Sequence, residues 1–431
     1  MFNVSLAQST VPSIWKSADI VPIPKVKPPT QVEKDLRPIA LTPVLAKILE
    51  GFVCKWLEDV TEKDNDPLQF GCEKGTSTTH CLIELVHHWS IATDTSKHYA
   101  RILLLDFSRA FDYIEHDILL KKWADSGAPS SLLQWKHAFL CDRQQRVKIN
   151  NFLSTWKSPS GGTPQGTKSG GRDFKQMVKD MKDQLPIFKY VDNSTLFEVC
   201  KRGSTSTMLQ DSATEISTWC NQNKMLINAK KTKEILIDFA KKPAPIPELI
   251  INGQKIERVT SSKLLGVVIS DNLSWGEHVN YIVGRATQRL FLLRLLKRAN
   301  VSMDKMIEVF CTIIRPTVEY ACQVWHGTLT DDQSKAIESI QERALKIIMP
   351  DANYDLAREI AELPKLSERR RSLCLKLFIE VQNPDHRLHH LLPNVKESTH
   401  NLRSGQKYPR PKVTTDRAKY CFINWCIYKL Q

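Results

Sequence analysis

The sequence predicts an α+β fold, and three observations carry that prediction. Ile102 to Leu105 form a continuous apolar run of strand length, the kind buried on both faces of a sheet. The stretch FKYVDNSTLFEV, residues 188–199, has two strand-forming halves about a tight Asp-Asn connection, which reads as a β-hairpin. Leu82, Ile83, Leu85, Val86 and Trp89, and again Ala286, Leu290, Leu293 and Leu296, recur at the spacing of one helix face.

Composition sets the frame for these elements. The chain has 431 residues, 42% hydrophobic and 8% aromatic, enough for a buried core. Lys and Arg outnumber Asp and Glu by 61 to 47, a formal charge of +14, which favours an acidic partner such as nucleic acid. The 11 cysteines are scattered without a C-x-x-C pair, and Cys421 and Cys426 lack the spacing of a zinc knuckle. They read as reduced thiols of an intracellular protein, in nucleus or cytoplasm. The first residues show no basic region leading into an apolar run, and no apolar stretch approaches 18 residues, so neither secretion nor a membrane span is expected.

In chain order, residues 11–50 hold two short apolar strand-like runs about a Pro- and Lys-rich loop, then a helix. Lys25, Lys27 and Arg37 in and beside that loop can place cations on a phosphate or simply be solvated. QFGCEKGTSTTHCLIELVHHW, residues 69–89, opens on turn and cap chemistry at Ser77, Thr78 and Thr79 and continues as a helix. Its His80, His87 and His88 read as helix residues and not as metal ligands, because no Cys or carboxylate partner completes a site. In ARILLLDFSRAFDYIEHDILLKKW, residues 100–123, Asp106 ends the apolar strand, and an acid there is costly unless it has a task or caps the turn into the next helix. SPSGGTPQGTKSGGRDF, residues 158–174, is a loop in which backbone can approach a planar group closely, with Gln165 offering both a donor and an acceptor. In the hairpin, Asn193 is an ordinary turn residue that tolerates positive φ; Asp192 is less easily explained.

Taken in order, these segments resemble the reverse transcriptases of non-LTR (LINE-type) retrotransposons, of the jockey and CR1-like branches, over nearly the whole chain. WKSADIVPIPK with LRPIAL is similar to the fingers motifs, QFGCEKGTSTTH to the helix motif that follows, and LLLDFSRAFD to the first catalytic motif. GGTPQGT resembles the template and nucleotide loop, KYVDN the second catalytic motif, LINAKKTKE the motif with the lysine near the pyrophosphate, and KLLGVVISDNLSW the primer grip. The segment from Ile313 to Ile348 is similar to the helical thumb.

The resemblance implies a right-hand polymerase: fingers over residues 1–99, palm over 100–280, helical thumb over 281–350 and a basic C-terminal region over 351–431. It implies RNA-directed DNA synthesis with an RNA template, a DNA primer and dNTPs. Asp106 and Asp192 would bind two Mg²⁺ ions, or Mn²⁺ in their place, with the Phe107 carbonyl as a further ligand; two hard cations about 4 Å apart suit such phosphoryl transfer. Phe111 matches the gate against a ribose 2′-hydroxyl, and Arg37 and Lys25 match positions that neutralise the triphosphate. Gln165 and Gly166 match the loop under the templating pair, and Lys231 the proton donor to pyrophosphate.

Where the family's turn reads Tyr-x-Asp-Asp, this chain carries Asn193 in the last position, so impaired catalysis is expected. Cys72, Gly171 and Lys179 also depart from the usual residues, which suggests a copy decaying after insertion. With fingers motifs beginning near Met1, a truncated chain without a nicking domain is expected, leaving any endonuclease to act in trans. Beyond Lys365 a basic tail is expected, with Arg369, Arg370, Arg371, Arg403, Lys407, Arg410, Lys412 and Arg417 available to nucleic acid. A nucleic-acid-binding relic that has lost catalysis is the alternative reading.

Overall fold

The structure, a computed structural model, describes residues 1–26, 28–203, 208–241, 246–395 and 407–429. The expectations placed on Lys27 and Arg403 fall outside the described residues. In chain order its longer strands and hairpins are β1 (Ser17–Pro24), β2 (Leu36–Leu41), β3 (His98–Leu105), β4 (Gln144–Ile149), β5 (Phe152–Leu153), β6 (Ile187–Tyr190), β7 (Asn193–Lys201) and β8 (Lys233–Ile237). The short strands β9 (Ile250–Ile251), β10 (Gln254–Lys255), β11 (Glu257–Val259), β12 (Ser261–Leu264) and β13 (Val267–Ser270) follow.

The apolar run at 102–105 becomes the middle of a five-stranded sheet ordered β11-β8-β3-β7-β6, with β3 antiparallel to both neighbours. Strand alternation then decides what each residue faces. Ala100 and Ile102 join one apolar core, whereas Leu103 and Leu105 join a second core on the opposite face. Each of these buried aliphatic side chains contributes roughly 1.5–3 kcal/mol relative to exposure. The charged residue inside this strand, Arg101, is buried only because its Nε donates to Glu234 Oε1 at 2.8 Å, and the first acid of the segment appears past the strand's end.

One face of the sheet is covered by α4 (Val44–Thr61), α6 (His116–Asp125), α7 (Ser130–Leu140), α8 (Gly170–Met177) and α9 (Met208–Gln222), after the short helices α1 (Phe2–Ala7), α2 (Ser13–Lys16) and α3 (Val32–Asp35). The other is covered by α5 (Thr78–Ala92), the β12–β13 hairpin and the C-terminal helices. The second sheet is ordered β2-β1-β4-β5, and its β1–β2 hairpin pairs Ile23 with Arg37. Thus the two strand-like runs around the Pro-Lys loop, and the helix after them, are present.

Beyond residue 275 the regular elements among the described residues are helical: α10 (Gly276–Arg298), α11 (Met303–Val309), a π-helical turn Phe310–Ile314, α12 (Arg315–Glu319), α13 (Cys322–Trp325), α14 (Asp331–Ile348), α15 (Tyr354–Ile360), α16 (Leu366–Val381), α17 (Asp416–Lys419) and α18 (Phe422–Lys429). On α10 the expected stripe is buried at Ala286, Leu290 and Leu293, with Leu296 at its edge. Arg285, Arg294, Lys297 and Arg298 lie exposed around it.

The basic tail needs correction. Arg370 is fully buried on α16, over the Trp325 ring at 5.9 Å, and donates to Ser334 Oγ at 2.9 Å. Arg369 grips Glu319 with two hydrogen bonds of 2.6 and 3.1 Å. Arg417 stacks on Phe239, its guanidinium 3.4 Å from the ring centroid, and Thr414 and Thr415 both bond to Asp94. These cations hold the C-terminal helices to the body. Arg371, Lys407, Arg410 and Lys412 remain exposed or nearly so.

All 11 cysteines are free, and among the described residues no helix is long and apolar enough to cross a membrane.

Candidate active site

Asp106 leaves the end of β3 and is held there by the segment 226–232, which runs antiparallel beside it. The Asp106 amide donates to Thr232 Oγ1 at 3.2 Å, and its carbonyl accepts from the Asn228 amide at 2.8 Å. Ser108 N donates to the Leu226 carbonyl at 2.8 Å, so Phe107 sits opposite Ile227 as a non-hydrogen-bonded pair. In such a pair the residue's own carbonyl points to the other side of the strand. The same pairing brings Lys231 Nζ to 4.0 Å from Asp106 Oδ2.

The second carboxylate arrives on the β6–β7 hairpin. Tyr190 pairs with Asn193, so the two-residue turn is Val191-Asp192, one position earlier than the sequence suggests. The positive φ falls on Val191, at +56°, and Asn193 begins β7. A β-branched residue in that conformation is strained and needs support. Gln69 Oε1 accepts from the Val191 amide at 3.2 Å and from the Gly71 amide at 2.8 Å. Phe70 N donates to the Lys189 carbonyl at 2.7 Å. A Cβ on Gly71 would lie 2.5 Å from Val191 N and Cγ2, so only glycine lets this segment approach the turn.

The register of β3 with β7 pairs Leu105 with Ser194. One step further, it sets Asp106 across from Asn193, with Asp192 at the hairpin tip. Burial raises the Asp106 carboxyl above the usual range; Lys231 and Lys25 oppose the shift, and Asp192 adds to it. Burial raises Asp192 as well, against the pull of Arg37 and Lys231. Two partly desolvated carboxylates thus share one field with three cations.

Asp106 Oδ2 is buried and has no hydrogen-bond partner. An orphaned carboxylate oxygen, a second carboxylate and a free-facing carbonyl are the hard oxygen donors a divalent cation prefers, so Asp106, Asp192 and Phe107 fit such an ion. Asn193 fits it less well: its Nδ2 donates to Asp192 Oδ1 at 3.2 Å, engaging an oxygen a metal would use.

The loop with Gln165 and Gly166 forms the adjoining wall. Gly162 has φ +80°, and a Cβ there would meet the Asp112 and Phe111 backbone at 2.8 to 2.9 Å. Thr163 N donates to the Phe111 carbonyl at 2.9 Å, and the Phe111 ring packs on Phe174 with centroids 5.4 Å apart. The Gln165 carbonyl accepts from Ala40 N at 2.7 Å, and Gly166, at φ +105°, passes against Ile39 and Ala40. A pocket of about 420 Å³ opens beside this loop, bounded by Pro38, Asp112 and Arg146.

Thus Lys25, Arg37, Asp106, Asp192 and Lys231 act on one another through space, while Phe111, Gln165 and Gly166 line the neighbouring loop. The supporting residues Gln69, Gly71, Asn228, Thr232 and Phe174 carry no signal of their own in the sequence; only the QFG and LIN segments containing them stand out. Two departures noted in the sequence turn out to touch: Cys72 Sγ occupies the place 2.6 Å from where a Gly171 Cβ would stand. Lys179 pairs with Asp64 and donates to Ser126 Oγ at 2.9 Å.

Residues 23–269 match the family model for reverse transcriptase (RNA-dependent DNA polymerase). The chain is 27% identical over 396 residues to the RNA-directed DNA polymerase from mobile element jockey of Drosophila melanogaster, covering 87% of this chain and 42% of that protein. It is 25% identical to the probable RNA-directed DNA polymerase from transposon X-element of the same organism, covering 81% and 39%. The chain therefore spans less than half the length of the curated relatives it matches. Among solved structures, a telomerase from Candida tropicalis aligns with a TM-score of 0.43 and 11% identity over 89% of this chain and 65% of that one. With more than half its length inside the family model, the chain belongs to the reverse transcriptase family, in its non-LTR retrotransposon branch.

Proposed function

We propose that the chain carries out RNA-directed DNA synthesis, transferring a nucleotide from a dNTP to a primer 3′-hydroxyl on an RNA template. The observation that carries this is the buried Asp106 Oδ2, which accepts no hydrogen bond, beside Asp192 and in the field of Lys25, Arg37 and Lys231, whose Nζ lies 4.0 Å away. Reverse transcriptases generally use divalent metal ions; here Asp106, Asp192 and the Phe107 carbonyl would hold two Mg²⁺, or Mn²⁺ in their place. When bound they supply charge neutralisation and a more acidic primer hydroxyl. Lys25 and Arg37, at the loop end of the β1–β2 hairpin, neutralise the triphosphate. Lys231 is exposed and close enough to Asp106 to hold a proton where pyrophosphate leaves. Phe111, pinned by Phe174 and Thr163, is rigid enough to refuse a 2′-hydroxyl.

Residues 1–99 serve as fingers, 100–280 as palm, 281–350 as thumb, and 351–431 as a basic C-terminal region. Access to the nucleus completes the reading. The test is primer extension on poly(rA)/oligo(dT) with Mg²⁺ and dTTP: extension is expected from the unmodified chain and is lost in Asp106→Ala. Extension that survives Asp106→Ala would sink the assignment. A second reading, a non-catalytic nucleic-acid-binding relic, is favoured by Asn193 alone; it requires tight binding of template and primer with no extension at any Mg²⁺ concentration.

The site also makes a stability prediction. Both carboxyls have raised pKa values in the fold, so their contribution is fully present below the unfolded-state value and is lost as pH rises through the folded one. At neutral pH the ionised pair therefore works against the fold. Metal-free Asp106→Asn is expected to melt above the unmodified chain at pH 7, with the gap closing near pH ~4. Added Mg²⁺ should raise the melting point of the unmodified chain only. Calorimetry showing Asp106→Asn melting lower at pH 7 would contradict the assignment of the shift to burial.

A further inference from the structure

Away from the polymerase site, α5 carries a second set of ligating side chains. Glu84 and His88 stand one helical turn apart on the same face of α5. Facing them is His390, from the short 3₁₀ turn His389–Leu391 that follows α16. One ligand atom from each of the three lies within 4.8 Å of the others. We propose that Glu84, His88 and His390 form a Zn²⁺ site that clips α5 to the C-terminal region.

Five features support a built site over a chance cluster. Glu84 is 4% exposed, and its Oε2 is buried without a hydrogen-bond partner, a costly state for a carboxylate unless a cation arrives. His390 Nδ1 lies 3.0 Å from the Arg387 carbonyl, which fixes that nitrogen as the protonated one and leaves Nε2 free to ligate. Metal-bound histidines are held by that kind of outer hydrogen bond. Nε2 of His390 is 3.3 Å from Glu84 Oε1, close to the roughly 3.3–3.5 Å between ligands in a tetrahedral site with bonds of about 2.0–2.1 Å. His88, leaning on Phe188 and Phe197, brings its own ligand atom within 4.8 Å of the other two. Finally, an open depression of about 380 Å³ lined by His88, Phe197 and His390 gives an entry path and a fourth position.

Two imidazoles and a carboxylate select zinc over Mg²⁺ or Ca²⁺, which prefer all-oxygen shells. The neighbouring His87 takes no part, since its Nδ1 faces Cys421 Sγ at 3.5 Å. The sequence reading set these histidines aside for want of a carboxylate partner. Glu84 stands within the same helix motif, but the third ligand lies some 300 residues away, where spacing gives no clue.

The experiment is zinc analysis of the untagged, full-length chain by mass spectrometry and titration, with melting followed in parallel. One zinc per chain and a melting point several degrees higher with Zn²⁺ are expected. Both should disappear in His390→Ala and in Glu84→Gln, and both should persist in Asp106→Ala, which separates this site from the polymerase metals. Co²⁺ should give the visible absorption of a low-coordinate site in the unmodified chain. Glu84→Gln keeps the side-chain shape, so it decides the matter even if His390→Ala misfolds. Substoichiometric zinc, or zinc equally bound by both variants, would reduce the cluster to a Glu84–His390 ion pair and overturn the proposal.

Discussion

Asn193→Asp is expected to raise primer extension by about two to three orders of magnitude and to lower the Mg²⁺ concentration needed for half-maximal rate. Register puts position 193 across from Asp106 and next to Asp192, so a carboxylate there would face the same ions. A unit-charge interaction at ~4 Å with an effective dielectric of about 20 is worth about 4 kcal/mol, roughly a thousandfold. Asn193 is exposed, and solvent reduces that figure. The substitution also frees Asp192 Oδ1 from the amide that now bonds it. Without metal, the third carboxylate adds repulsion to a pair whose pKa values are already raised, so the metal-free variant should melt lower. A higher rate together with a lower metal-free melting point is a combination that general decay of the chain does not produce. Unchanged extension with an unchanged Mg²⁺ requirement would show that the amide at 193 is not what limits catalysis.

What the sequence reveals follows the range of the interactions concerned. Asp106 is legible because the four residues before it must be apolar to fill both cores, so the acid marks where the strand leaves the sheet. The hairpin is legible for the same reason, yet its turn is displaced by one residue. Asn tolerates positive φ, but Gln69 and Gly71, brought in from a distant segment, stabilise that conformation at Val191 instead. Arg370 reads as a tail cation because nothing nearby in sequence announces Trp325 and Ser334. Glu84 and His390 are separated by most of the chain, and no local pattern can pair them. Burial and close approach between distant segments are the terms a linear reading lacks, and they shape the support of the site more than its chemistry.

The same limit applies to Lys136, an ordinary helix lysine in the sequence that the structure places at 1% side-chain exposure. Its Nζ donates to Asp173 Oδ2 at 2.7 Å, with Asp173 equally buried on α8. Burial opposes the ammonium and also raises the Asp173 carboxyl, but the charge and hydrogen bond of Asp173 leave the lysine's pKa raised, so the charged lysine depends on its partner. Asp173→Ala is expected to cost about 3–5 kcal/mol, because it leaves that charge buried and alone. Against a total stability of roughly 5–15 kcal/mol, such a loss brings the chain near unfolding. Phe174, the next residue, packs on both Phe107 and Phe111, so the polymerase site should loosen with it. Replacing both partners, Lys136→Met with Asp173→Leu, removes the uncompensated charge and should recover most of the lost stability. The single variant has a further signature. An unpaired buried lysine has a lowered pKa, so the unfolded state binds the extra proton and stability should rise with pH. Urea unfolding across pH 6 to 9 measures both effects. A cost below about 1 kcal/mol, flat with pH, would mean that water reaches Lys136 and that the pair is not the buried support of the site that its exposure indicates.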